Sequence, residues 1–231
     1  MPVGLIVGTA LPPDILEISD SIGTDYGETS SPIWDLELGK NAFKVINRHG
    51  NPPRIPPHMV NHRANIKALV DEGVTSVISI CSSGALKEDL EVPSLAVPDD
   101  YIDLFSGATF HDRDIVHITP SLDRNLSGTL IDACKGSDLR VYPGGTYVQT
   151  RGPRLETRSE VSLISKWGDY VGMNLGPEAT LANEAGISLA SILTVDNYAH
   201  GIGEVPEYAK IKERSMSKWS VIEGILSSIE I

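Results

Sequence analysis

Four short segments concentrate the side chains that could do chemistry, and each follows a run of apolar, β-branched residues. Gly8-Thr9-Ala10 joins a glycine, which permits close backbone approach, to a hydroxyl that can donate to an anion. Taken alone it reads first as an ordinary turn, because the Gly-Lys-Ser/Thr of a phosphate-binding P-loop does not follow. Arg48-His49-Gly50 offers either a guanidinium fork for phosphate oxygens or a surface ion pair. In Cys81-Ser82-Ser83-Gly84-Ala85, small residues leave room for a ligand against exposed backbone amides. The richest segment is 145–157, joined by Gly172-Met173-Asn174 and Asp196-Asn197 after later strands. Together these supply a carboxylate, a primary amide and a thioether.

Other chemistries find little support. No Ser/His/Asp order, His-x-x-x-His pair or paired carboxylates stand out, which argues against hydrolases built on a nucleophile or a metal. The two cysteines, Cys81 and Cys134, form no CxxC pair and read as buried thiols. A formal charge of -12, from 31 acidic and 19 basic residues, opposes a nucleic-acid or anionic-membrane surface. It leaves room for a small anion in a local pocket of amides and arginines. Residues 1–8 lack a basic leader, and no apolar run approaches the roughly 20 residues of a spanning helix. A cytoplasmic location is expected.

The elements that must position these groups read as α/β. Strands are predicted over 3–7, 43–46, 74–80, 139–148 and 187–195, with helical spacing between several of them. A helix is expected over 178–185, opened by Pro177 and stopped by Gly186, and one amphipathic helix over 206–229. The prolines at 52, 53, 56 and 57 read as a shaped loop. With 231 residues and no linker or internal repeat, one domain over 1–231 follows.

Taken in order, Gly8-Thr9, Arg48-His49-Gly50, Val60-Asn61, Ala64-Asn65-Ile66, Ser83-Gly84-Ala85-Leu86, Gly145-Thr146-Tyr147-Val148, Gly152-Pro153-Arg154-Leu155-Glu156-Thr157 and Gly172-Met173-Asn174 with Pro177-Glu178-Ala179 resemble the trimeric purine nucleoside and methylthioadenosine phosphorylases. The resemblance runs from the first strand to about residue 200. It implies a mixed, twisted central sheet flanked by helices, a homotrimer, and attack of phosphate on ribose C1' as a purine leaves. No metal or organic cofactor is implied, since phosphate is the co-substrate.

By the same resemblance, Thr9, Arg48, His49, Ser82 and Asn174 would hold phosphate. Met173 would pack on the ribose, with Ser83, Gly84, Leu155 and Ala199 also lining the substrate site. Glu156 and Asn197 would read the base and stabilise its departure. Their polarity suits a 6-oxopurine: the carboxylate accepts from N1–H, while the amide donates to O6 and accepts from protonated N7. Without the resemblance, Glu156 could equally serve the start of a helix near Thr157, and Asn197 could be a turn former.

At the 5' end, the 6-oxopurine relatives place a His where an ungapped count reaches Ile211. Val205, Tyr208 and Ile211 offer an apolar surface that suits a methylthio group better than a hydroxyl. S-Methyl-5'-thioinosine is therefore the expected substrate, with a broader inosine and guanosine phosphorylase or a noncatalytic nucleoside binder as rivals. A neighbour's Phe110 or His111 would close the pocket. Ala10, Pro53, Cys81 and Asn174 depart from the family pattern.

Overall fold

The computed structural model of the protein describes residues 2–11 and 20–230. All five residues of Val3–Val7 (β1) are buried, as suits a strand covered on both faces. A small hairpin, Gly23–Thr24 (β2) with Gly27–Glu28 (β3), precedes the antiparallel pair Ile33–Leu38 (β4) and Asn41–Asn47 (β5). His62–Asp71 (α1) leads into Ser76–Ala85 (β6), Ser94–Val97 (β7), Asp100–Ile102 (β8) and Arg124–Ala133 (α2). Then come Val141–Pro143 (β9), Thr146–Gln149 (β10), Arg158–Ile164 (α3), Tyr170–Gly172 (β11), Leu175–Glu184 (α4) and Ser188–Tyr198 (β12). Tyr208–Ser217 (α5) and Trp219–Ser228 (α6) follow.

Ten of these strands form one mixed sheet. β1 lies parallel to β5 and β6, and β12 runs parallel to β6 along its other edge. β6 meets β11 antiparallel, and β10 joins β11 to β8. Alternate strand residues face opposite layers. Leu5, Val7, Ile78 and Ile80 pack with Leu126 and Leu130 of α2 and with Trp219, Ile222 and Ile225 of α6. Ile6, Val77, Leu189 and Leu193 pack with Ile66 and Leu69 of α1 and with Leu175, Ala179 and Leu181 of α4. The expected sheet flanked by helices is thus what forms.

The sheet splits where the site lies. β6 pairs with β1 only through Ser79 and takes up β11 only at Gly84. Along residues 80–83 one edge carries β12, and among the described residues the other edge has no strand partner. Main-chain groups there are left to face side chains or a ligand.

Several expectations about elements need correction. The segment 81–85 is the end of a strand rather than a loop, and Asp196-Asn197 lies inside β12 rather than after it. The single strand expected over 139–148 is two strands, because Gly144 and Gly145 both take positive φ (+82° and +95°), which extended structure does not allow. Pro177 sits at the third position of α4, still within the first turn, where its missing N–H has no intrahelical partner to lose. The long C-terminal helix is broken at Lys218 into α5 and α6. Strands β4, β7, β8 and β11 lie outside the segments predicted.

Candidate active site

At the split in the sheet lies a cavity of about 170 Å³ whose wall gathers Thr9, His49, Ser82, Ser83, Gly84, Leu155, Glu156, Met173, Asn174, Asn197 and Ala199. Of the residues expected to hold phosphate or to line the base and ribose, all but Arg48 are on this wall.

Arg48 lies behind it, 1% exposed. Its Nε donates to Glu178 Oε1 at 2.6 Å, Nη2 to Glu178 Oε2 at 3.1 Å and Ser79 Oγ at 2.9 Å, and Nη1 to Ile80 O at 2.8 Å. The carbonyl of Ile80 is on the free edge of β6. A Cβ at Gly8 would stand 2.4 Å from Nη1, so glycine is what lets the guanidinium lie directly behind the Gly8-Thr9 turn. The surface ion pair considered for Arg48 is replaced by a buried one. Burial alone would raise the Glu178 carboxyl, but the charge of Arg48, with the His62 side chain beside it, holds it well below the usual range.

His49, expected to hold an anion, lies on the cavity wall. Its Nδ1 lies 2.8 Å from Ile55 O, which can only accept, so Nδ1 carries the proton. Burial, and then the Arg48 charge, push its pKa down to about 4. Near neutrality the ring is uncharged and Nε2 presents a lone pair. Ser82 donates its hydroxyl to Asp196 Oδ2 at 2.6 Å, so that hydrogen is not offered to the cavity. Asn174 precedes α4; its amide oxygen is buried with no partner among the described residues.

Glu156 and Asn197, expected to read the base, lie on the same wall. Glu156 Oε1 accepts from Thr150 Oγ1 at 2.7 Å. The start of α3 is capped by others: Thr157 and Glu160 form a reciprocal capping box. That leaves Glu156 for the cavity rather than the helix. Asn197 lies in β12 opposite Gly84, and its Nδ2 donates to Tyr198 O at 2.7 Å. One N–H and the side-chain oxygen remain. The carboxylate of Asp196 is fully buried and turned to Lys218, so it cannot serve a ligand.

Met173 is locked to the base-side loop. Gly152 has φ +66°, and a Cβ there would meet Met173 Sδ at 2.4 Å. At the far end, Pro57, Pro206, Tyr208 and Ile211 line the cavity, as expected of two of them. Val205 is exposed and off the wall.

His200 was not legible as a site residue. It reaches the wall because the chain turns back at Gly201 (φ +95°), placing its Nδ1 3.3 Å from Glu156 O. No spacing rule announces that turn. A wider groove of about 760 Å³ adjoins the cavity through Pro57 and Met173 and is lined by Tyr26, Arg63, Phe105 and Asp112 among others. Phe110 packs on Tyr26, with ring centroids 4.9 Å apart. No helix among the described residues is long and apolar enough to cross a membrane.

Comparison with known proteins decides the family, for residues 2–226 match the phosphorylase superfamily. The chain belongs to that superfamily. It is 47% identical over 220 residues to a probable 6-oxopurine nucleoside phosphorylase of Archaeoglobus fulgidus, covering 92% of this chain and 89% of the relative. It is 37% identical to a probable S-methyl-5'-thioinosine phosphorylase of Methanocaldococcus jannaschii, covering 97% and 92%. Among solved structures of the superfamily, methylthioadenosine phosphorylase from Schistosoma mansoni in complex with adenine superposes with a TM-score of 0.84 at 27% identity, covering 98% of this chain and 89% of that one.

Proposed function

We propose that this phosphorylase cleaves the glycosidic bond of a 6-oxopurine nucleoside with phosphate as co-substrate, and that S-methyl-5'-thioinosine is its substrate. The observation that carries this reading is the presence of Glu156 and Asn197 on one cavity wall with the anion-side residues Thr9, His49 and Asn174.

A phosphate oxygen forms the new bond to C1' as the C1'–N9 bond breaks and its electron pair passes to the purine. Holding the two reactants in line removes much of the entropic barrier. Charge then grows on the base and N7 takes a proton from solvent, so that Asn197 donates to O6 and accepts from the new N7–H while Glu156 accepts from N1–H. Bonds that strengthen with that charge favour the transition state over the bound substrate. On the phosphate, Thr9 donates a hydroxyl hydrogen, and the lone pair of neutral His49 and the orphan oxygen of Asn174 suit the P–OH of a protonated phosphate. Arg48 contributes its charge from behind Gly8. The reading invokes no metal or organic cofactor, phosphate being the co-substrate.

Adenine reverses the base edge, setting ring N1 against a carboxylate and an amino group against the amide donor; each mispaired buried group costs about 1–3 kcal/mol. The name of the Archaeoglobus relative favours a second reading, a phosphorylase of inosine and guanosine. The apolar Pro57, Pro206, Tyr208 and Ile211 weigh for the methylthio group. A homotrimer is part of the proposal. Leu104, Phe105 and Ile115, between 62% and 91% exposed, offer apolar surface for a second copy, Phe105 of them lining the wider groove, and light scattering during size-exclusion gives the mass.

Incubating the protein with methylthioinosine, inosine, guanosine and methylthioadenosine, with and without phosphate, tests the whole. Phosphate-dependent release of hypoxanthine, fastest from methylthioinosine, is expected. Faster cleavage of methylthioadenosine sinks the base assignment, and absence of turnover with all four favours a nucleoside-binding protein.

A further inference from the structure

An irregularity in β12 accompanies the turn of Asn197 toward the cavity. Val195 pairs with Ser83 and Asn197 with Gly84, so Asp196 is an extra residue between two paired neighbours. A bulge of this kind bends the strand and re-aims the side chains beside it. Both polar ends of the bulged residue are tied to the C-terminal helices. Its carbonyl accepts from Arg214 Nη1 of α5 at 3.0 Å, and its carboxylate pairs with Lys218 Nζ at the junction of α5 and α6. Ser82 and Thr194 donate to the remaining carboxylate oxygen at 2.6 and 2.8 Å.

Lys218 is 3% exposed and Asp196 0%. Two buried charges are expensive to desolvate, and apolar side chains would hold the helices to the sheet at least as well. What apolar packing cannot do is hold one backbone conformation through directed hydrogen bonds at the residue before Asn197.

We propose that Lys218 and Asp196 are positioning residues for the base: their buried pair fixes the bulge that presents Asn197, so the junction of the two C-terminal helices sets discrimination between 6-oxo and 6-aminopurines. This rests on Asn197 as a base-reading residue. Titration calorimetry with hypoxanthine and with adenine, each at saturating phosphate, gives the ratio of their dissociation constants for the native protein, Lys218→Met and Asn197→Ala.

Lys218→Met is expected to lower the preference for hypoxanthine by more than about fivefold, approaching the loss of a hydrogen bond to the base edge. A smaller change overturns the proposal. So does parallel weakening of both bases, which would mark a pair that only holds helices. Should circular dichroism show Lys218→Met unfolded, the double variant Asp196→Asn/Lys218→Met removes both charges and is read by the same criterion. An unchanged ratio in Asn197→Ala defeats the base-recognition reading and the proposal with it. A lowered ratio there with none in Lys218→Met defeats the positioning role alone.

Discussion

On the proposed reading, Asn197 would meet a purine with one hydrogen of its amide already given to Tyr198 O. It therefore has one donor and one acceptor side for the base, which is what O6 and N7–H ask of it. Asn197→Asp removes the donor and supplies a partner for a 6-amino group. Competition between methylthioinosine and methylthioadenosine should show kcat/KM shifting toward the adenosine by about tenfold or more. Gly8 makes a second case at this scale. Gly8→Ala puts a methyl group 2.4 Å from Arg48 Nη1. The guanidinium is held by Glu178, Ser79 and Ile80 and cannot yield freely. The variant is expected to lose about 1–3 kcal/mol of stability and to raise KM for phosphate more than KM for nucleoside. Urea unfolding and steady-state kinetics check the two parts.

Among the elements, α3 ties a cap to the base. Thr157 and Glu160 close its first turn, and Glu156 is the residue before the cap. Thr157→Ala should cost about 1 kcal/mol and lower Tm by a few degrees. Because the loop holding Glu156 loses its anchor, KM for nucleoside should rise while KM for phosphate stays near its native value. The same scale shows which elements the sequence discloses. Long apolar strands such as β1 and the core of β12 could be read from residue type alone. β8 and β11, three residues each, exist through pairing with distant β10 and leave no local pattern. Small residues made 81–85 look like a loop, yet β12 runs beside them. The break at Lys218 was hidden because Met216, Trp219, Ile222 and Ile225 keep helical spacing across it. At the break, Lys218 turns its side chain to a carboxylate 22 positions away in sequence.

For the whole molecule, His49 couples folding to pH. Its pKa is about 4 in the fold against 6.5 for a free side chain. The fold keeps the ring neutral, so only the unfolded chain takes up the proton below 6.5. Stability is full at neutral pH and falls as pH drops from about 6.5 toward 4, by about 3 kcal/mol in all, of which about 2 kcal/mol is gone by pH 5. Urea unfolding in phosphate-free buffer at pH 7.5 and 5.0 should show that loss in the native protein and a smaller one in His49→Gln. The grouping of the scattered blocks was legible, since the residues expected to hold phosphate or line the base and ribose meet at one cavity, with Arg48 behind it. What could not be read was which groups are consumed by the protein itself: the Ser82 hydroxyl, the Asp196 carboxylate and the Arg48 fork are spent on neighbours brought near only by the fold.

The contact between Gly152 and Met173 bears on how such an enzyme changes its diet. The loop's anchor is fixed twice, by a positive φ and by a sulfur atom filling the place of a side chain. Leu155, three residues on, is 41% exposed, and Glu156 answers mainly to Thr150. A lineage can therefore exchange the reading positions one at a time while the loop stays where it is. Random replacement at 155 and 156 should yield folded proteins with altered purine choice, and replacement at 152 mostly proteins with no site.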